Sequence, residues 1–151
     1  EMSRGLGDVY KRQGKYQPLS VVQAVEICKD IVRIFADKNI DIIRIGLQNT
    51  EEISDPKNEG SEVVAGPYHP AFRQLVESAM WYDAIVGKIK KLNAKVKEVE
   101  VSVNPIDSNN VIGHKKENIN KLKDTYAVIT IVKCNNKIKP GKFKINVLET
   151  A

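Results

Sequence analysis

One stretch limits what this chain can fold into. Ile40-Asp-Ile-Ile-Arg-Ile-Gly-Leu47 is nearly continuous in apolar residues, which suits a parallel strand covered on both faces. It follows directly on a helical pattern. Val21, Val25, Cys28, Val32 and Phe35 recur at helical spacing and give one apolar face. Ser20 stands ready as N-cap with Gln23 three residues on, a capping-box pair, and Lys38-Asn39 closes the helix. A helix followed at once by a buried strand is the second half of a β-α-β unit. The strand that would precede the helix has no counterpart in the sequence, so the chain reads as a fragment of a larger α/β fold.

Period two splits the strand into two faces. One carries Ile43, Ile45 and Leu47. The other carries Ile42, Arg44, Gly46 and, just past the strand, Gln48. Arg44, Gly46 and Gln48 are candidate ligand contacts, because no Cβ at position 46 blocks a close approach. The plainer alternative is an Arg44 paired with a neighbouring carboxylate and a glycine that eases packing. Gln48 to Glu62 is polar, with Asp55-Pro56 and Gly60, and reads as a loop at the C-terminal, ligand-binding end of the strand. A helix then starts at Pro70, a favoured first position. Its buried face runs through Phe72, Leu75, Val76, Ala79 and Met80, continuing to Ile85, Val86, Ile89 and Leu92. Gly87 leaves open one long helix with a kink or two helices.

The remainder is a smaller unit. Val96 to Val103 alternates valines with Glu98, Glu100 and Ser102, the pattern of a half-exposed strand. Pro105 to Asn110 is a turn or short helical start, Glu117 to Tyr126 a helix, and Val128–Val132 and Lys142–Leu148 two more strands. The fold class is α/β, α+β overall. Residues 14–93 form one part, 94–151 a small basic α+β unit. Residues 1–13 have no periodicity and no partner element, and resemble a translated sequencing-adapter scar, a non-native leader.

Composition excludes several classes. No apolar run of about 18 residues is present, so no membrane span is expected, and no secretory h-region precedes the first helix. The two cysteines, Cys28 and Cys134, lie 106 positions apart, which is neither a disulfide framework nor a metal spacing. No metal ligands are assigned, and a cytoplasmic setting fits best. Cys28 falls on the apolar helix face and reads as a small core residue. His69, just before Pro70, reads as a group that satisfies free N–H donors at the helix start. From Lys88 to Lys144 there are 14 lysines against 5 acidic residues, a local balance of +9 within a net +5. Such a stretch suits a polyanion partner or an ordinary solvated lysine-rich surface.

Arg44-Ile-Gly-Leu-Gln-Asn-Thr50 and Gly60-Ser-Glu-Val-Val-Ala-Gly-Pro-Tyr-His-Pro-Ala-Phe-Arg73 carry a resemblance. The chain resembles the C-terminal part of radical S-adenosylmethionine proteins, in particular clostridial proteins related to the radical domain of the elongator catalytic subunit without its acetyltransferase part. The likeness covers residues 14 to 103 well and the rest more loosely. It implies the last helix and strand of a partial (β/α) barrel, with Arg44, Gly46 and Gln48 at its lumen or mouth. It implies for the parent protein a [4Fe-4S] cluster and S-adenosylmethionine, cleaved reductively to a radical that abstracts a substrate hydrogen. The cluster's Cys-x3-Cys-x2-Cys motif is absent here, so the chain is expected to bind no cofactor alone and to be inactive alone. The partner implied is the N-terminal barrel of the same protein, with RNA or tRNA as a further partner.

Val111-Ile-Gly-His-Lys-Lys-Glu-Asn-Ile119 supports a second reading. It resembles the Val-Ile-Gly-x-x-Gly-x-x-Ile signature of KH domains, whose loop clamps a nucleic-acid backbone. Lys116 stands where the second glycine would be. The nucleic-acid candidates are Gly113, Lys115, Lys116, Lys121 and Lys123. The plainer alternative is a helix N-terminus that happens to follow Gly113.

Overall fold

A computed structural model describes residues 6–50, 53–55, 57, 59, 61, 63, 65–92 and 95–150. The first five residues of the expected leader, Pro56 and Gly60 of the loop, and the expected boundary at 93/94 lie outside the described residues. The chain divides into two compact units, Glu1–Arg73 and Gln74–Ala151.

In the first unit α1 (Leu6–Arg12) is a two-turn helix where the sequence gives no period, with Lys15 Nζ 6.0 Å from the Tyr10 ring. Helix α2 (Val21–Asp37) begins as its capping box dictates: the Ser20 hydroxyl accepts from the Gln23 amide, and the Gln23 side chain accepts from the Ser20 amide. Lys38 caps its C-terminus and Asn39 follows in the left-handed region at φ 54°. The expected apolar face is only partly covered. Val25 is buried, Cys28 is half-buried, and Phe35 is exposed. Ile27, Ile31 and Ile34, spaced i, i+4, i+7, are exposed as well. Lys29 is buried beside them, its Nζ 2.7 Å from the Glu26 carboxylate.

The segment Ile40–Leu47 departs from expectation. It belongs to no sheet among the described residues and bends at Gly46, and Ile43 is 95% exposed, with Ile40 and Leu47 more than half exposed. Alternation is a local property, whereas a strand exists only when a neighbouring backbone accepts and donates its ladder bonds. No such neighbour stands beside this segment among the described residues.

Helix α3 (Phe72–Lys90) starts two residues after Pro70, because Pro70 and Ala71 form a turn. It runs unbroken through Gly87, and Leu92 lies past its end. From Gln74 onward it belongs to the second unit, which also holds β1 (Val96–Val103), α4 (Ser108–Ile112), α5 (Glu117–Tyr126), β2 (Ile129–Cys134) and β3 (Phe143–Thr150). The sheet order is β2-β1-β3. Strand β1 pairs parallel with β2, Val99 opposite Thr130, and antiparallel with β3, Val99 opposite Val147. The parallel pair requires a crossover, and α4 and α5 supply it.

Alternation on β1 sends Val99, Val101 and Val103 to one face, where all three are fully buried against Ile85, Val86 and Ile89 of α3, Val111 of α4 and Leu122 of α5. Trp81 meets the Phe143 ring edge-on at 5.8 Å. The second unit is thus a two-layer α+β fold, with helices on one face of a three-stranded sheet. Helix α3, expected to go with the barrel part, contributes three residues to this core.

Candidate functional site

Two constellations follow from the sequence, one in each unit. In the first, the Gly66-to-Arg73 motif holds the segment 43–49. The Tyr68 hydroxyl donates to Asn49 Oδ1 at 2.6 Å. Arg73 Nη1 reaches the Ile43 carbonyl at 3.5 Å. A Cβ on Gly46 would sit 3.0–3.3 Å from three atoms of Phe72, and Gly46 has φ +84°. The missing side chain at 46 is therefore used by a phenyl ring in this chain. His69 Nδ1 accepts from the Ala71 amide at 3.1 Å, in agreement with the helix-start role read from the sequence. That bond places the ring proton on Nε2 in the neutral tautomer. Arg44 and Gln48 are both exposed. Nothing in the spacing of Tyr68 and Phe72 along the sequence names a partner 19 or 26 residues away.

The second constellation is the turn between α4 and α5. Gly113 ends α4 at φ 78°, and Lys115 and Lys116 both lie in the left-handed region, at φ 50° and 63°. Lys116, the residue in place of the signature's second glycine, thus keeps the backbone conformation that a glycine adopts most cheaply. Asn118 builds the turn. It is 4% exposed, and its Nδ2 lies 2.9 Å from the Ser78 carbonyl, 3.1 Å from that of Val111 and 3.2 Å from that of Asn110. A Cβ on Gly113 would come within 3.1 Å of the Asn118 side chain and amide. Asn110 Nδ2 in turn donates to Glu77 of α3 at 2.8 Å. The signal for Asn118 in the sequence was a polar residue four positions before Leu122, on the buried helix face.

The five nucleic-acid candidates do not share one environment. Lys115 and Lys116 are exposed at the turn, with no ion pair among the described residues. Lys123 is exposed on α5, also without one. Lys121 is engaged by Glu117 one turn earlier, Nζ to Oε1 2.6 Å. Gly113 supplies backbone shape, not charge.

The residues present do not fit an iron–sulfur cluster. Cys28 is half-buried on α2 of the first unit and Cys134 is exposed at the end of β2 in the second. No group of three or more His, Cys, Asp or Glu residues able to hold a metal occurs among the described residues. No described helix is long and apolar enough to cross a membrane.

The family model described as the Radical_SAM C-terminal domain matches residues 5–82. No curated protein and no solved structure matches.

Proposed function

The chain belongs to the Radical_SAM C-terminal domain family, and from that membership we propose that its first part completes the catalytic barrel of an elongator-like radical S-adenosylmethionine enzyme, with the basic unit as an accessory domain. The observation that carries this reading is the first unit's open apolar surface. Ile27, Ile31 and Ile34 on α2 and Ile43 and Leu47 on the 40–47 segment are exposed, and no amide from Ile42 to Leu47 donates a backbone bond among the described residues. Both features suit docking against a barrel: the segment as an added strand, the helix packed across it. Covering one isoleucine contributes about 1.5–3 kcal/mol, so a few such contacts make the docking strong. The cluster and S-adenosylmethionine, when bound by the rest of the parent enzyme, supply the radical chemistry. This chain's residues supply closure, with Arg44 and Gln48 presented at the barrel mouth beside the Tyr68–Asn49 clamp. The experiment compares the parent enzyme with its Ile43→Glu variant for 5′-deoxyadenosine release and iron content. A loss of release of at least tenfold with iron retained is expected. Unchanged release in a variant of unchanged melting temperature rejects barrel completion.

A second reading concerns the accessory unit. The order β1-α4-turn-α5-β2, with β1 and β2 as parallel neighbours, and the left-handed Lys116 favour a degenerate KH-like turn that holds RNA through its phosphates. Short single-stranded RNA titrated at several salt concentrations tests it. With about three phosphate contacts the log–log slope is near −2. Replacing Lys115 and Lys116 by Ala flattens that slope by more than one unit, whereas replacing Lys88 and Lys90 changes it less. Equal losses from the two lysine pairs reject the turn as the site.

A further inference from the structure

The face of the sheet away from the helices carries a groove of about 570 Å³ in the second unit. Its floor is the polar face of the three strands, with Glu100 on β1, Lys133 on β2 and Lys144 and Asn146 on β3. Its wall is the segment between β2 and β3, with Asn136 and Lys137. That wall is fixed in place. Asn104 Nδ2 donates to the Ile138 carbonyl at 2.8 Å, Asp107 Oδ2 accepts from the Gly141 amide at 2.8 Å, and the Asn135 amide donates to the Val103 carbonyl at 2.8 Å. The Ile138 side chain is buried beneath it.

The charges in the groove are of two kinds. The Glu100 carboxylate, whose side chain is 21% exposed, is loosely held. Its contacts are Lys133 Nζ at 3.5 Å, the Ser102 hydroxyl at 3.4 Å and Asn146 Nδ2 at 3.4 Å, all at the long end of the hydrogen-bond range. It keeps capacity to accept a better donor. Lys137 and Lys144 have no ion pair among the described residues. A plain anion would satisfy the lysines but be repelled by Glu100. A ligand that carries both an anion and an N–H donor fits both. Ile131, opposite Glu100 in the β1–β2 register and exposed on the same face, offers an apolar surface to a flat ring. Amide side chains at 136 and 146 can read a base edge.

We propose that this groove binds one nucleotide of a single-stranded nucleic acid, its phosphates on Lys137 and Lys144 and the exocyclic amino group of its base on Glu100. A carboxylate accepts well from the amino group of cytosine, which uracil lacks. Single strands leave those edges free. The site lies on the other side of the sheet from the α4–α5 turn and goes beyond the function proposed above.

The test uses the full chain and fluorescein-labelled ten-nucleotide RNAs, oligo-C and oligo-U, followed by anisotropy at low salt. Oligo-C is expected to bind about fivefold more tightly. Glu100→Gln, which adds a donor for the uracil O4, removes or inverts that preference. Lys137→Ala with Lys144→Ala weakens both oligonucleotides about tenfold and flattens the salt dependence. Lys115→Ala with Lys116→Ala, which removes the turn's own phosphate contacts, does not lower the C-to-U ratio, and a ratio lowered by that pair would move the discrimination from the groove to the turn. A ratio unmoved by Glu100→Gln overturns the proposal, as does undiminished binding in the Lys137/Lys144 variant. Tighter binding of a labelled acidic peptide than of either RNA overturns it too.

Discussion

At the scale of single residues, two glycines with opposite roles test how backbone conformation is used. Gly113 sits at φ +78° with Asn118 atoms 3.1 Å from where a Cβ would be. At φ 78° and ψ 164° the backbone lies in a region open essentially to glycine, so Gly113→Ala combines backbone strain of about 1–3 kcal/mol with displacement of a buried, hydrogen-bonded amide. A loss of about 2 kcal/mol or more in chemical denaturation is expected. Gly87 lies inside α3 with nothing within 4 Å of its missing Cβ. There the same substitution stabilises by about 0.5–1 kcal/mol, because a helix interior favours alanine. Lys116, at φ 63°, is the third case. Its left-handed cost of about 1–2 kcal/mol exceeds the roughly 0.5–1 kcal/mol that glycine loses in chain freedom. Lys116→Gly should thus raise stability by about 0.5 kcal/mol, and a drop in midpoint would mean that the lysine side chain packs usefully. The signature's spacing points to Gly113 and Lys116; Asn118 shares the buried helix face with Leu122, four residues on, but its role shows only when the Ser78 carbonyl comes into reach from another element.

At the scale of elements, legibility followed the range of the interactions. Helix α5 was read as Glu117–Tyr126 and is found there, and the α2 start was fixed by Ser20 and Gln23, because helix bonds and caps are local. Strand β1 was read correctly because its valines alternate and two neighbours exist to pair with it. The expected strand at Ile40–Leu47 has an equally strong apolar pattern but no neighbour among the described residues. Hydrogen exchange checks this contrast. No amide from Ile42 to Leu47 donates a backbone bond within the described residues, so these amides should exchange at close to unprotected rates. Those of Val99, Val101 and Val103, in the middle of the sheet, should approach the protection set by global unfolding. Slow exchange at Ile43 and Ile45 in the isolated chain would show that the segment had found a ladder partner, whether in this chain or in a second copy.

At the scale of the whole molecule, the two units differ in what they bury. Among the described residues the buried apolar side chains of the first unit are Ala24, Val25 and Phe72. The second unit buries a continuous cluster from Ile85 through Val128, with Val76 and Ile138 besides. At about 1.5–3 kcal/mol for each large side chain, the first unit gathers only a few kcal/mol from these buried side chains. The second has several times that gain for a similar length of chain. The two should therefore open at different free energies. Thermolysin, which cuts before large apolar residues, reads this directly, because Ile27, Ile31, Ile34, Ile43 and Leu47 are all exposed sites. Brief digestion of the full chain at 25 °C should cut first between α2 and residue 50 and leave a resistant piece that starts near α3 and contains all three strands. Mass spectrometry of the time course identifies the cuts. Early cleavage within β1 or α5, at a rate equal to that in the first unit, would contradict the unequal cores. Survival of the 40–47 segment to the end of the digestion would contradict its exposed, sheet-free state, and with it the surface on which barrel docking rests.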